Sequence, residues 1–156
     1  PQNWRPSAAH HGSPGSDDLL SYSAWKSSHS ITSDSADDDS DGFANASEFA
    51  LGTNPRSAAS RPLLSAELQP FPSPQGPGLP DLTEQFLTIS FSRDPRSDNL
   101  ITLPEASTDL VSWSLSTMTR VLVIPNPDGS QSELWRSTTP VSSRASSFLR
   151  LRVTVP

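Results

Sequence analysis

The sequence predicts a mainly β chain: an antiparallel β-sandwich, immunoglobulin-like or jelly-roll-like, preceded by a small helix-loop-helix unit. Three observations carry that prediction. Leu87, Ile89 and Phe91 alternate with Thr88, Ser90 and Ser92, and Leu149, Leu151, Val153 and Val155 alternate with Phe148, Arg150, Arg152 and Thr154; period two is the pattern of half-buried strands. Turn chemistry recurs at strand spacing in DPRSDN, STD, NPDG and TTPVSSRASS. Before all of these, a stretch dense in Asp is bracketed by two short patterns of helical period.

Taken in order, residues 1–16 (PQNWRPSAAHHGSPGS) have no apolar period and read as a flexible tail or linker, with Trp4 their only strong anchor. Ser16 is the expected cap of a helix of about three turns, with Asp17 and Asp18 at its positive end and Leu19, Leu20, Tyr22 and Trp25 along one face. It runs out near His29. Asn45 to Leu51 form a second, shorter helix, which Gly52 and Pro55 end. The expected units are therefore a tail over 1–16, a helix-loop-helix over 17–55, a connector over 56–61 and the sandwich over 62–156. Strands are expected at 62–68, 86–92, 99–106, 110–115, 118–124, 131–136 and 147–155, and seven short strands suit a sandwich. The proline-rich 70–80 stretch (PFPSPQGPGLP) is expected to be a loop.

Composition narrows the function. The chain of 156 residues has no cysteine, which removes disulfide frameworks, thiolate zinc sites and thiol catalysis together. No apolar run approaches the ~18 to 20 residues of a membrane span, and no Lys/Arg cluster offers a surface for nucleic acid. One Lys against ten Arg, 30 Ser and 16 Pro point outward from the cytosol, to an extracellular or cell-surface protein. The chain opens on Pro1 and holds only Met118, which predicts a processed or excerpted portion of a longer product. The formal charge of -6 is concentrated: residues 34–48 hold Asp34, Asp37, Asp38, Asp39, Asp41 and Glu48 with no base, leaving 11 acids against 11 bases elsewhere.

That acidic loop carries the chemistry. With Asp37 as position one of a twelve-residue loop, Asp39 and Asp41 fall at three and five, Gly42 at six, the Phe43 carbonyl at seven, Asn45 at nine and Glu48 at twelve. This is the register of a calcium loop. Alternate carboxylates wrap one side of a hard cation, Gly42 permits the sharp turn, and Glu48 returns from the following helix to close the shell. An all-oxygen set with four carboxylates suits Ca2+ better than Mg2+. Asp38 and Asp34 are expected to be outward-facing solvated charges.

Residues 19–55, with Tyr22, Trp25, DDDSDGFANASEFALGTNP and the closing Pro55, resemble the calcium-binding segment of large secreted and surface bacterial proteins, where D-x-D-x-D-G-x-x-N-x-x-E-[YF]-A-L-G-x-[DN]-P recurs. The segment is similar to the single-loop EF-hand-like units related to thrombospondin type 3 repeats and dockerins. EASTDLVSW and SFLRLRVTVP resemble a strand-turn-strand and the closing strand of the β-sandwich that follows such loops. Asp38 and Ser40 depart from the usual Pro or Gly at positions two and four, and Ala46 and Ser47 from apolar residues at ten and eleven. The resemblance implies calcium-dependent rigidity between domains and a terminal module for display or attachment, without an enzyme.

The other candidates are bland by comparison. All three histidines (His10, His11, His29) lie in the first 29 residues, away from the expected sandwich, so a Ser/His/Asp triad is not expected. Glu67, Glu84, Glu105, Asp109 and Glu133 show no spacing that selects a glycosidase pair, and Asp109 reads as a turn residue bonding local amides. Trp113, beside Val111 and Leu115, is expected in the core, with Trp135 more open. Trp25 is expected to pack on Phe49. Arg150 and Arg152 are expected to be solvated or bonded to acids across the sheet. Three readings follow: a calcium-binding structural or anchoring module, including a self-assembling fibre subunit whose terminal strand pairs with a copy; a carbohydrate-binding module for a surface polysaccharide; and, third, a dockerin-like adaptor, which normally needs a second loop.

Overall fold

Alternation of apolar and polar residues, broken by Ser, Asp and Gly turns, produces a mainly β structure with two short helices. The computed structural model describes residues 18–143 and 146–156. The helices are α1 (Tyr22–Ser28) and α2 (Asn45–Leu51); the strands are β1 (Leu64–Ser73), β2 (Leu82–Arg93), β3 (Ile101–Ser107), β4 (Met118–Pro125), β5 (Gln131–Ser137) and β6 (Phe148–Thr154). One sheet has the order β1-β2-β5-β4 and a second pairs β3 with β6. Every pairing is antiparallel. The expected tail, with Trp4, His10 and His11, lies outside the described residues, as do Ser16 and Asp17.

α1 starts later than its sequence pattern suggests. Its cap is Ser21, whose hydroxyl accepts from the Ala24 amide at 3.2 Å. The chain before it is claimed by tertiary bonds: the Leu20 amide donates to the Arg96 carbonyl at 2.8 Å, and the Leu20 carbonyl accepts from Asn99 Nδ2 at 3.0 Å. Backbone groups held that way cannot also begin a helix. α2 falls where expected, and Gly52 ends it in the left-handed conformation at φ 77°, which glycine adopts without a Cβ penalty.

Two strand expectations need correction. Residues 110–115 are not a strand. The Ser107 hydroxyl and Asp109 carboxylate capture the amides of Leu110, Val111 and Ser112 that a ladder would have used. Only Ser114 reaches β3, in an isolated bridge to Ala106, and Leu115–Thr117 turn in a short 3₁₀ segment. Val111 is accordingly 81% exposed. The loop expected over 70–80 is shorter than that, because β1 continues to Ser73 in unbroken register with β2. Pro70 and Pro72 are tolerated there because β1 is an edge strand; two residues apart, their missing donors fall on one side, which an edge leaves unpaired.

Two apolar clusters join the sheets to the helices. Leu51 of α2 meets Ile89 and Phe91 of β2, Ala106 of β3 and Met118 of β4, with Trp135, Leu149 and Leu151 packed against them. Tyr22, Ala46, Phe49 and Leu100 form the second, flanked by Leu20, Trp25 and Val153. α2 therefore contributes to both. Its Phe49, 2% exposed, packs its ring 4.8 Å from Tyr22 and 5.2 Å from Trp25, as the aromatic pattern predicts. Whatever orders the loop between α1 and α2 acts on side chains that reach the sheets.

Candidate metal centre

The loop between the helices is curled by its own carboxylates. Asp37 accepts from the Asp41 amide at 3.1 Å and from the Gly42 amide at 2.9 Å; Asp39 accepts from the Asp41 amide at 3.2 Å, and Asp41 from the Phe43 amide at 2.9 Å. Gly42 sits at φ 97°, where a side chain would be strained, so glycine at this position has a backbone reason. The loop is closed by the Asn45 amide on the Ala36 carbonyl at 2.8 Å and the Ala46 amide on the Asp34 carbonyl at 3.0 Å. One carboxylate oxygen from each of Asp37, Asp39 and Asp41 then lies within 4.8 Å of the others.

The helix side supplies two more side chains. Asn45 and Glu48 are both fully buried at the start of α2. Asn45 spends its Nδ2 on the Ser33 carbonyl at 2.9 Å, and Glu48 receives only the Thr53 hydroxyl at 3.3 Å on Oε1. Among the described residues, four buried oxygens of this loop have no hydrogen-bond partner: Asp39 Oδ2, Asp41 Oδ2, Asn45 Oδ1 and Glu48 Oε2. All four are acceptors. A buried polar group left unpaired costs about 1 to 3 kcal/mol, so four of them approach the whole ~5 to 15 kcal/mol that stabilises a small domain. Such a group of acceptors fits a hard cation, which takes several oxygen ligands at once.

Electrostatics agree with that geometry. Burial, then the charges of Asp39 and Asp41, push the Glu48 carboxyl up to about 7, against the Thr53 bond and with a smaller push from Asp37. The Asp37 carboxyl is instead held below its ordinary value, chiefly by the Gly42 amide. Of the six residues the spacing singles out, Asp37, Asp39 and Asp41 are gathered, and Asn45 and Glu48 are buried on the first turn of α2, each with an oxygen that has no hydrogen-bond partner among the described residues. For Phe43 the structure places the amide on Asp41, and its carbonyl remains the expectation of the register.

Asp34 and Asp38 are not bare solvated charges. Tyr22 Oη and Lys26 Nζ donate to Asp34 at 2.9 and 3.0 Å, and that bond to Lys26 holds its carboxyl below the ordinary value. Asp38 pairs with Arg56 at 3.2 Å. Arg56 also donates to the His29 and Ser30 carbonyls at 2.8 and 2.7 Å, and Arg61 donates to the Asp41 carbonyl. The connector over 56–61 is thus strapped to the loop by its two arginines. No signal in the sequence pointed to them, since their partners stand 18 and 20 residues away.

The other candidates are engaged elsewhere. His29 Nδ1 lies 3.0 Å from the Trp25 carbonyl, so this histidine serves the end of α1. Glu67 meets Ser65, Glu84 meets Ser142, and Glu133 accepts from Trp135 Nε1 at 2.8 Å. Buried Glu105 is bracketed by Arg150 and Arg152, the cross-sheet pairing expected of those arginines. Trp113 corrects its expectation: it is half-buried outside both clusters, with the Arg150 guanidinium 4.4 Å above its ring, because residues 110–115 are a loop. Trp135 packs against the first cluster. No helix among the described residues is long and apolar enough to cross a membrane. Comparison with protein-family models, with curated proteins and with solved structures gave no match.

Proposed function

We propose that the chain is a non-catalytic, extracellular calcium-binding structural or anchoring module, in which an EF-hand-like helix-loop-helix stiffens the approach to a small β-sandwich built of the two sheets. The observation that carries this reading is the set of four buried oxygens on one acidic loop that have no hydrogen-bond partner among the described residues, every one at a position the twelve-residue register assigns to a ligand. Asp37, Asp39, Asp41, the Phe43 carbonyl, Asn45 and Glu48 would hold the ion, which supplies positive charge and nothing else. The protein's own part is mechanical. Glu48 precedes Phe49, which packs on Tyr22 and Trp25, and shares α2 with Leu51, which packs between the sheets. Fixing Glu48 to the loop therefore locks α1, α2 and both sheets into one body. Calorimetry on a chelator-stripped sample should show one tight calcium site, lost in Glu48→Ala; no binding, or unchanged binding in that variant, sinks the reading.

Self-assembly is a second reading with an observation of its own. Among the described residues β6 pairs with β3 alone, so one of its edges carries no described strand, and an open edge is a template for another chain. Filaments in electron micrographs of the purified chain would favour it, and a monodisperse monomer at high concentration would dismiss it. The carbohydrate reading has less support, since Trp113 is covered by Arg150 and Trp135 lies against the core.

A further inference from the structure

A buried carboxylate of the loop faces a cation the chain itself provides. The Asp41 side chain is fully buried, and its Oδ2, which has no hydrogen-bond partner among the described residues, lies 3.8 Å from Arg61 Nε, while Arg61 Nη2 donates to the Asp41 carbonyl. The guanidinium lies over the loop: a Cβ added to Gly42 would stand 3.9 Å from Arg61 Nη2. Arg61 is held there from the other side. Pro62, which follows it, is buried and restricts Arg61 to extended backbone, and the Leu63 carbonyl accepts from Ser92 of β2 at 3.1 Å. The arm thus starts from the sheet and ends on the acidic loop. Arg56 is different in kind, since its acid partner is Asp38, outside the cluster, and its other bonds go to carbonyls at the end of α1.

We propose that Arg61 is an affinity-setting residue of the cation loop: its fixed positive charge competes with the ion for Asp41, holding the metal-free loop in shape at the expense of affinity. This rests on the calcium reading above. The loop gathers carboxylates that repel one another, and a guanidinium on Asp41 offsets part of that repulsion before any ion arrives. Once an ion is bound, the same charge opposes it across the few ångströms of Asp41. Because Arg61 is 62% exposed, solvent screens the effect and keeps it moderate. Coulomb energy scales with the charge of the ion, so a trivalent ion is opposed more than a divalent one.

Calcium and terbium titrations of the full chain and of Arg61→Gln, Arg61→Lys and Arg56→Gln test this. The glutamine keeps a donor for the Asp41 carbonyl and removes the charge. Arg61→Gln is expected to bind Ca2+ about fivefold more tightly and Tb3+ about elevenfold, the ratio that the charges two and three impose. Arg61→Lys should stay within about twofold of the parent, and Arg56→Gln should change affinity less than Arg61→Gln does. Raising salt from 0.1 to 1 M should erase most of the gain. Unchanged or weaker calcium binding by Arg61→Gln overturns the proposal, as does an equal gain for both ions, which would mark a purely structural role. If the parent chain binds neither ion, the calcium reading itself has failed and this inference falls with it; parent binding with a flat Arg61→Gln response fails the inference alone.

Discussion

Two loops of this chain are built around aspartates, and they solve the same problem in opposite ways. In residues 107–112 one carboxylate meets a surplus of donors: Asp109 accepts from the amides of Val111 and Ser112 at 2.8 and 2.7 Å and from the Ser107 hydroxyl at 2.9 Å. Those bonds, the Ser112 amide first, hold its carboxyl far below the ordinary range. In residues 37–48 the carboxylates share too few donors: among the described residues four side-chain oxygens, three of carboxylates and one of Asn45, have no hydrogen-bond partner, and the Glu48 carboxyl is pushed up instead. Asp109 is satisfied within its own turn, as Asp37 is by the Asp41 and Gly42 amides. Glu48, raised among acceptors that lack hydrogen-bond partners among the described residues, is not.

Calcium should separate the loops most sharply. A ligand at a thousand times its dissociation constant stabilises the bound state by about 4 kcal/mol, which for a chain of this size is about 10 °C or more in melting temperature. Adding Ca2+ to the chelated chain should raise the melting point by that order and shift the NMR signals of residues 37–48, leaving the Val111 and Ser112 amides in place. Equal shifts in both loops would break the contrast.

Substitution at Glu48 sharpens it next, because one change should act with two signs. Glu48→Gln removes a buried charge from beside Asp39 and Asp41, so the chelated chain should melt higher than the parent. With Ca2+ present the same variant lacks its closing ligand and should melt lower. Asp109→Ala should lower the melting point equally with and without the ion. Thermal denaturation of both variants under both conditions reads the pattern; a Glu48→Gln effect of one sign throughout would mean that the orphaned oxygens are of no consequence.

Acid gives a smaller effect at the Asp109 loop. Because the Asp109 carboxyl is depressed in the folded chain, its contribution is fully present above the ordinary aspartate value near 4 and is lost as pH falls below it. The melting-point gap between the parent and Asp109→Ala should therefore be constant from pH 7 to about 5 and narrow steadily as pH falls below about 4. A gap that is as wide at pH 2 as at pH 7 would show that Asp109 acts through its shape and not its charge.

How far the sequence foretold these loops follows from the range of the interactions. The gathering of Asp37, Asp39 and Asp41 was readable because the acidic loop is a local object, with close spacing and a glycine where φ is positive. Asn45 to Leu51 were readable for the same reason, down to the Gly52 stop. The loop at 110–115 was not, because Val111, Trp113 and Leu115 alternate like a strand while Ser107 and Asp109 of the STD turn reach forward to take the amides a strand needs. The late start of α1 and the straps from Arg56 and Arg61 were beyond reach, since each depends on partners 18 to 79 residues away that only the folded chain assembles.

The smallest effect tests what the two loops share. Each turns its backbone through one non-glycine residue in the left-handed region, Ser40 at φ 64° in the acidic loop and Leu110 at φ 62° in the other. That conformation costs an ordinary residue about 1 to 2 kcal/mol, and glycine would avoid it while losing about 0.5 to 1 kcal/mol to its freer unfolded chain. Leu110 is 57% exposed, so little packing is lost with its side chain. Ser40→Gly and Leu110→Gly should each gain about 0.5 kcal/mol, read as a rise in denaturation midpoint, whereas Ser40→Val, which adds a β-branch at positive φ, should fall below the parent. The two glycine variants should then part company in calcium. A looser Ser40 position is stiffened again once Asp39 and Asp41 are tied to an ion, so its gain should grow, while the gain at Leu110 should be indifferent to the ion.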